Sequence, residues 1–154
     1  MKVKKAAFSV FFFLSMTAWA WAGGSVTQES RSINNDVMVH TFNWIGDSVS
    51  GIVPNTASNK EIKGWVFQVK TIPGSPAPLA NYDIKLTDSD GMDISGDELQ
   101  NRSATDAEVI KPAVGSDYNE IFCESGVTLE VSGTTVQSAQ GGVEVWYYQY
   151  RHFR

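Results

Sequence analysis

A chain of 154 residues with 17 acidic against 12 basic side chains and a net charge of −5 is acidic, and its Lys and Arg residues are scattered among carboxylates, which excludes the clustered basic surface that grips nucleic acid. A single cysteine excludes an internal disulfide framework, and two histidines at opposite ends of the mature part supply no zinc-ligand spacing. Stability must come from packing, metal or self-association.

Lys2, Lys4 and Lys5 precede an uncharged run over residues 6–22 that holds Phe8, Val10, Phe11, Phe12, Phe13 and Leu14 and closes on Ala20-Trp21-Ala22. A basic start, a short apolar middle and small residues two apart at the exit predict a signal peptide over residues 1–22, cleaved after Ala22, and a single domain over residues 23–154. The expected location is the periplasm, the cell surface or the medium. The run of 17 residues also reaches the lower limit of a membrane span, about 17–25 residues, so membrane association through an uncleaved leader is the alternative.

Beyond Gly23 the apolar period is two. Residues 36–45 carry Val37 and Val39, then Phe42 and Trp44, with a change of phase at His40-Thr41 that a β-bulge would reconcile. A weak strand is expected around residues 49–53, between the turn signals Gly46-Asp47 and Pro54-Asn55. Over residues 62–72, Trp65, Phe67, Val69 and Thr71 are expected on one face. After the Pro-rich loop at 73–78, Tyr82, Ile84 and Leu86 alternate with polar residues over 81–87, and a short strand is expected at 92–95. Residues 97–102 and 105–109 are long enough for a helical turn or two each. Val127, Leu129 and Val131 repeat the alternation, and in the last strand Val143, Val145 and Tyr147 lie opposite Glu144, Trp146 and Tyr148. Short strands with frequent turns predict an all-β fold, an antiparallel β-sandwich of jelly-roll-like or immunoglobulin-like type, with both central triplets in one core and Cys123 as a buried apolar thiol.

No catalytic constellation is legible. Neither His40 nor His152 stands near a Ser or Cys in a nucleophile setting, so no enzyme and no catalytic residue is expected. The carboxylates Asp88, Asp90 and Asp97 are weak calcium candidates. A twelve-residue calcium loop aligned on Gly91 would place Leu86 at its first ligand position, which favours a turn whose Asp side chains accept turn amides, with no cofactor. The aromatic end of the chain is the richest binding candidate: Trp146, Tyr148 and Tyr150 share one strand face, which suits a protein interface or sugar stacking.

Pro76-Ala77-Pro78, residues 81–94 from Asn81-Tyr82-Asp83 to Met92-Asp93-Ile94, Asn101-Arg102-Ser103-Ala104-Thr105 and residues 108–112 resemble a family of small proteins encoded among the virion genes of tailed bacteriophages. The resemblance spans about residues 25–150, strongest at 76–112, and also touches Val39–Trp44, Ile72-Pro73-Gly74 and residues 142–148. It implies a non-enzymatic structural or accessory virion protein that self-associates as a homo-oligomer or docks on phage structural proteins, located in the virion, and it transfers no active-site residue. Relatives of this kind begin at the segment matching Gly24-Ser25-Val26, so the leader is a departure. An exported cell-surface or periplasmic module that binds carbohydrate is the second expectation.

Overall fold

The computed structural model describes residues 23–150; the expected leader at 1–22 with its expected cleavage site, and His152, lie outside them. Among the described residues every regular element is a strand: β1 (Ser25–Ser32), β2 (Val37–Ile45), β3 (Thr56–Ala57), β4 (Gly64–Pro73), β5 (Asp83–Thr87), β6 (Glu108–Ile110), β7 (Ala113–Val114), β8 (Asp117–Tyr118), β9 (Ile121–Cys123), β10 (Thr128–Ser132) and β11 (Gln140–Gln149). The fold is all-β and antiparallel, as the period of two requires. A six-stranded sheet in the order β1-β2-β11-β4-β6, with β9 also on β4, covers a three-stranded sheet β3-β10-β5, and β7-β8 forms a separate hairpin.

The core lies between the two sheets. Leu129 pairs with Leu86 and Val131 with Ile84 across β10 and β5. With Tyr82 and Val127 these side chains join Phe42, Trp44, Val66, Val69, Val143, Val145 and Tyr147 in one buried cluster. Each large apolar side chain so buried contributes about 1.5–3 kcal/mol. The Trp44 and Tyr82 rings, 5.9 Å apart, tie one sheet to the other. Cys123 is buried in the same cluster, with its thiol 3.3 Å from the Ser125 carbonyl, and burial pushes its pKa up.

Several expectations are corrected. β2 carries no bulge at His40-Thr41: its pairing with β1 and β11 is unbroken. Both of its faces are buried instead, because His40, Phe42 and Trp44 point to the core while Val39 and Thr41 sit under neighbours on the outer face. The register shift occurs where β11 meets β4, between Trp146 and Tyr147. It separates Val66, the partner of Tyr147, from Gln68, the partner of Trp146, and leaves Phe67 as the extra residue. Val66, Val69 and Thr71 are therefore the buried side of β4, and Trp65 and Phe67 do not share the face of Val69 and Thr71.

Residues 49–53 are not a strand. The Asp47 carboxylate accepts the Val49 and Ser50 amides at 2.8 and 2.6 Å and closes a turn that leaves Val49 exposed. Residues 92–95 contribute only a bridge from Asp93 to Thr87. Residues 97–102 form turns, since Asp97 (φ 64°) and Asn101 (φ 56°) take left-handed conformations that no helix accepts. Residues 105–109 run into β6, which adds to the edge of β4 at Val69–Thr71.

Candidate functional site

Among the described residues the outer face of the six-stranded sheet carries no second sheet, and at its β9 end the side chains are aromatic. Residues pointing away from the core follow from the register: Trp65 on β4 stands opposite Tyr148 on β11 and Phe122 on β9. The bulge turns Phe67 to the same side. The rings form a strip of two packed groups set side by side by the Trp65↔Tyr148 pairing: Phe67 lies 4.6 Å from Tyr148, while Trp65 lies 5.1 Å from Phe122 and Phe122 5.7 Å from Tyr150. Such spacings are within the favourable range of tilted and edge-to-face pairs, so each group is held as a unit.

It is also open to solvent. Trp65 is 46% exposed, Tyr148 42% and Tyr150 45%, although each belongs to a ring pair that could have been sunk in a core. Trp65 divides two clefts. One of about 660 Å³ is walled by Trp65, Phe67, Tyr148 and Tyr118, with Lys111, Asn119 and Glu120 at its rim. The other, of about 460 Å³, lies between Trp65, Phe122 and Tyr150, with Lys63 and Glu124 beside them. The β7-β8 hairpin presents Tyr118, 64% exposed, at the first cleft. Apolar ring surface framed by amide, ammonium and carboxylate groups suits protein docking and glycan stacking alike.

The three aromatics expected from the sequence share the outer side but not one environment. Tyr148 and Tyr150 belong to the strip. Trp146 does not: its Nε1 donates to Glu144 Oε2 at 3.1 Å, and the Arg31 guanidinium lies 5.5 Å above its ring. Arg31 also pairs with Glu144 at 3.4 Å, so Trp146 is half-buried beneath a charged cover. Sequence pattern does not single out Trp65, Phe67, Phe122 or Tyr118 as members of a site. The alternation in Ile121-Phe122-Cys123 is the available signal for Phe122, with its flanking residues buried and the Phe turned away.

The acidic segment is a set of turns. Asp88 Oδ1 accepts the Asp90 amide at 3.0 Å and the Met92 amide at 2.9 Å, and the Asp97 amide donates to Asp93 Oδ2 at 3.2 Å. Among the described residues no three His, Cys, Asp or Glu side chains are grouped so as to hold a metal ion.

His40 is fully buried on β2 and serves as a tie between β1 and the loop after β3. Its Nε2 donates to Gln28 Oε1 at 3.0 Å, and its Nδ1 accepts from the Ser30 hydroxyl at 2.7 Å. Gln28 in turn accepts the Asn59 amide at 2.7 Å and donates to the Ala57 carbonyl at 2.9 Å, which assigns its oxygen and nitrogen and hence the imidazole tautomer. Burial, reinforced by Lys60, lowers the His40 pKa from 6.5 to about 4. The unfolded chain therefore binds a proton that the folded one refuses. Stability is complete above pH 6.5 and is lost as pH falls through about 4. The loss expected by the acid end of that window is on the order of 3 kcal/mol, read as a falling denaturant midpoint; His40→Gln should flatten that part of the profile, and an unchanged slope would remove His40 as its source.

No protein-family model matches this chain, and neither a curated protein nor a solved structure is significantly similar to it.

Proposed function

We propose that the protein is a non-enzymatic, virion-type structural or accessory component that acts by docking the aromatic strip on a subunit of a larger assembly. The observation that carries this reading is Trp65: a large half-exposed ring packed on Phe122, standing across from Tyr148 in the β4–β11 pairing and lining two clefts. Interface hot spots are enriched in Trp and Tyr, and a row already ordered by ring contacts loses little side-chain entropy on binding. The resemblance to small phage virion proteins supports the same class of partner. No cofactor and no nucleic acid enter this reading.

A hot-spot ring contributes about 2 kcal/mol or more, equivalent to roughly 30-fold in affinity. Particles assembled with Trp65→Ala should therefore carry at least about tenfold less of the protein than wild-type particles, while its thermal midpoint is unchanged. Equal incorporation of the variant would contradict the assignment.

A second reading draws on the polar rim. Asn119, Glu120 and Lys111 beside Trp65 and Tyr148 are the hydrogen-bonding groups a glycan needs once its ring stacks on an aromatic face. In that case the protein is an exported periplasmic or cell-surface binding module. Retardation in polysaccharide-containing native gels, lost in Trp65→Ala, distinguishes it from protein docking.

A further inference from the structure

The opposite edge of the large sheet is a separate surface: β1 lies two strands from β11 and three from β4, the strands that carry the aromatic strip. Among the described residues β1 pairs only with β2, over an unbroken register from Ser25 to Ser32. The Ile33 amide donates to the Val37 carbonyl at 2.9 Å, one step beyond the last pair Ser32↔Met38. Because hydrogen-bonded and non-bonded pairs alternate in an antiparallel ladder, the odd-numbered residues of β1 bond inward to β2. The neighbouring ladder agrees: the Gly46 amide bonds the Ala139 carbonyl at 2.8 Å, so even-numbered residues of β2 face β11. Val26, Gln28, Ser30 and Ser32 thus direct their N–H and C=O groups out of the sheet.

Edges of this length are normally blunted by proline, lysine, a bulge or a covering segment. β1 has no proline, no lysine and no bulge. Its charged residues are Glu29 and Arg31, of opposite sign and both on the outer face. Among the described residues Glu29 has no ion pair, while Arg31 has only Glu144.

We propose that β1 pairs antiparallel with β1 of a second copy about a two-fold axis at Ser30, joining two sheets into one. In that register Ser30 faces Ser30, Gln28 faces Ser32, and each of these pairs exchanges both N–H···O bonds. Glu29 of each copy then faces Arg31 of the other. These are non-hydrogen-bonded positions, where side chains across a ladder are closest. Moving the axis to Glu29 sets two carboxylates against each other, moving it to Arg31 sets two guanidiniums together, and moving it to Gln28 leaves both charges without an opposite. Charge complementarity therefore selects the Ser30 register. An isologous contact of this kind closes on itself and leaves the aromatic strip free on both copies.

This inference does not rest on the docking role of the strip, and its test separates the two. Protein purified from cells expressing the full chain should sediment at twice the monomer mass. Glu29→Arg sets a new guanidinium against Arg31 of the other copy and should give a folded monomer with an unchanged circular dichroism spectrum. Arg31→Glu should do the same, and an equimolar mixture of the two variants should recover the dimer, since each then supplies the charge the other lacks. Ser32→Pro removes an outward N–H without touching the β2 ladder and should also give a monomer. Wild-type protein that is monomeric at high micromolar concentration overturns the proposal. So does a dimer that survives both Glu29→Arg and Ser32→Pro, and a dimer lost instead in Trp65→Ala would move the contact to the aromatic strip.

Discussion

Gly64→Ala should be the most damaging single-methyl change in the molecule. Gly64 opens β4 at φ 153°, and a Cβ built there would lie 1.8 Å from the Tyr148 carbonyl oxygen and 2.9 Å from its carbon. Those are backbone atoms and cannot rotate aside. The strand must either move away from β11 or give up the pairing of Gly64 with Gln149 and the bond from the Tyr150 amide to the Lys63 carbonyl at 3.0 Å. The same position pairs with Cys123 on β9, so the loss spreads to both neighbours of β4. Backbone strain and broken ladder together place the cost on the order of 4 kcal/mol, among the exceptional values for one substitution. The denaturant midpoint should fall accordingly, and the near-ultraviolet circular dichroism from Trp65 and Tyr148 should weaken, because the row of rings depends on this close approach. Lys63→Ala, on the exposed neighbour, should change stability by less than about 0.5 kcal/mol. A Gly64→Ala protein as stable as Lys63→Ala would show that β4 and β11 are not held as closely as described.

Leu129→Ala should cost about 2–5 kcal/mol. Leu129 is fully buried at the middle of β10, paired with Leu86 on one side and Thr56 on the other. It faces the larger sheet within the shared cluster, so the vacated volume is lined by residues of two rigid sheets that cannot collapse into it. Glu130→Ala, exposed one residue later, is the matched control and should lie within about 0.5 kcal/mol of wild type. Similar losses for the two variants would contradict the assignment of Leu129 to the inter-sheet core.

Patterned strands are the legible part of the chain. Tyr82, Ile84, Leu86, Val127, Leu129 and Val131 alternate with polar neighbours, and all six are buried as that alternation requires. β1 is not legible. Its inward positions are Val26, Gln28 and Ser30, and the last two are accommodated under the sheet only because His40 and the loop at 57–59 supply hydrogen-bond partners. No period of hydrophobicity reports such a strand.

The aromatic strip is half legible. Tyr148 and Tyr150 emerge from the alternation of β11, but an unbroken strand would put Trp65 and Phe67 on the face of Val69 and Thr71. The shift at Trp146/Tyr147 reverses that assignment by one residue. A bulge is set by how two distant strands meet, here separated by the whole length between β4 and β11, so local sequence carries no mark of it.

The all-β class, the inter-sheet core and the turn chemistry of the Asp residues are written into the amino-acid order, because side-chain period and Asx geometry are local properties that survive whatever the strands pair with. Which strands are neighbours, which edge stays open at β1 and which rings reach solvent beside Trp65 are settled in three dimensions. Those outcomes depend on pairing between residues far apart in the chain, where a single extra residue or an uncovered edge changes the face or partner of everything after it.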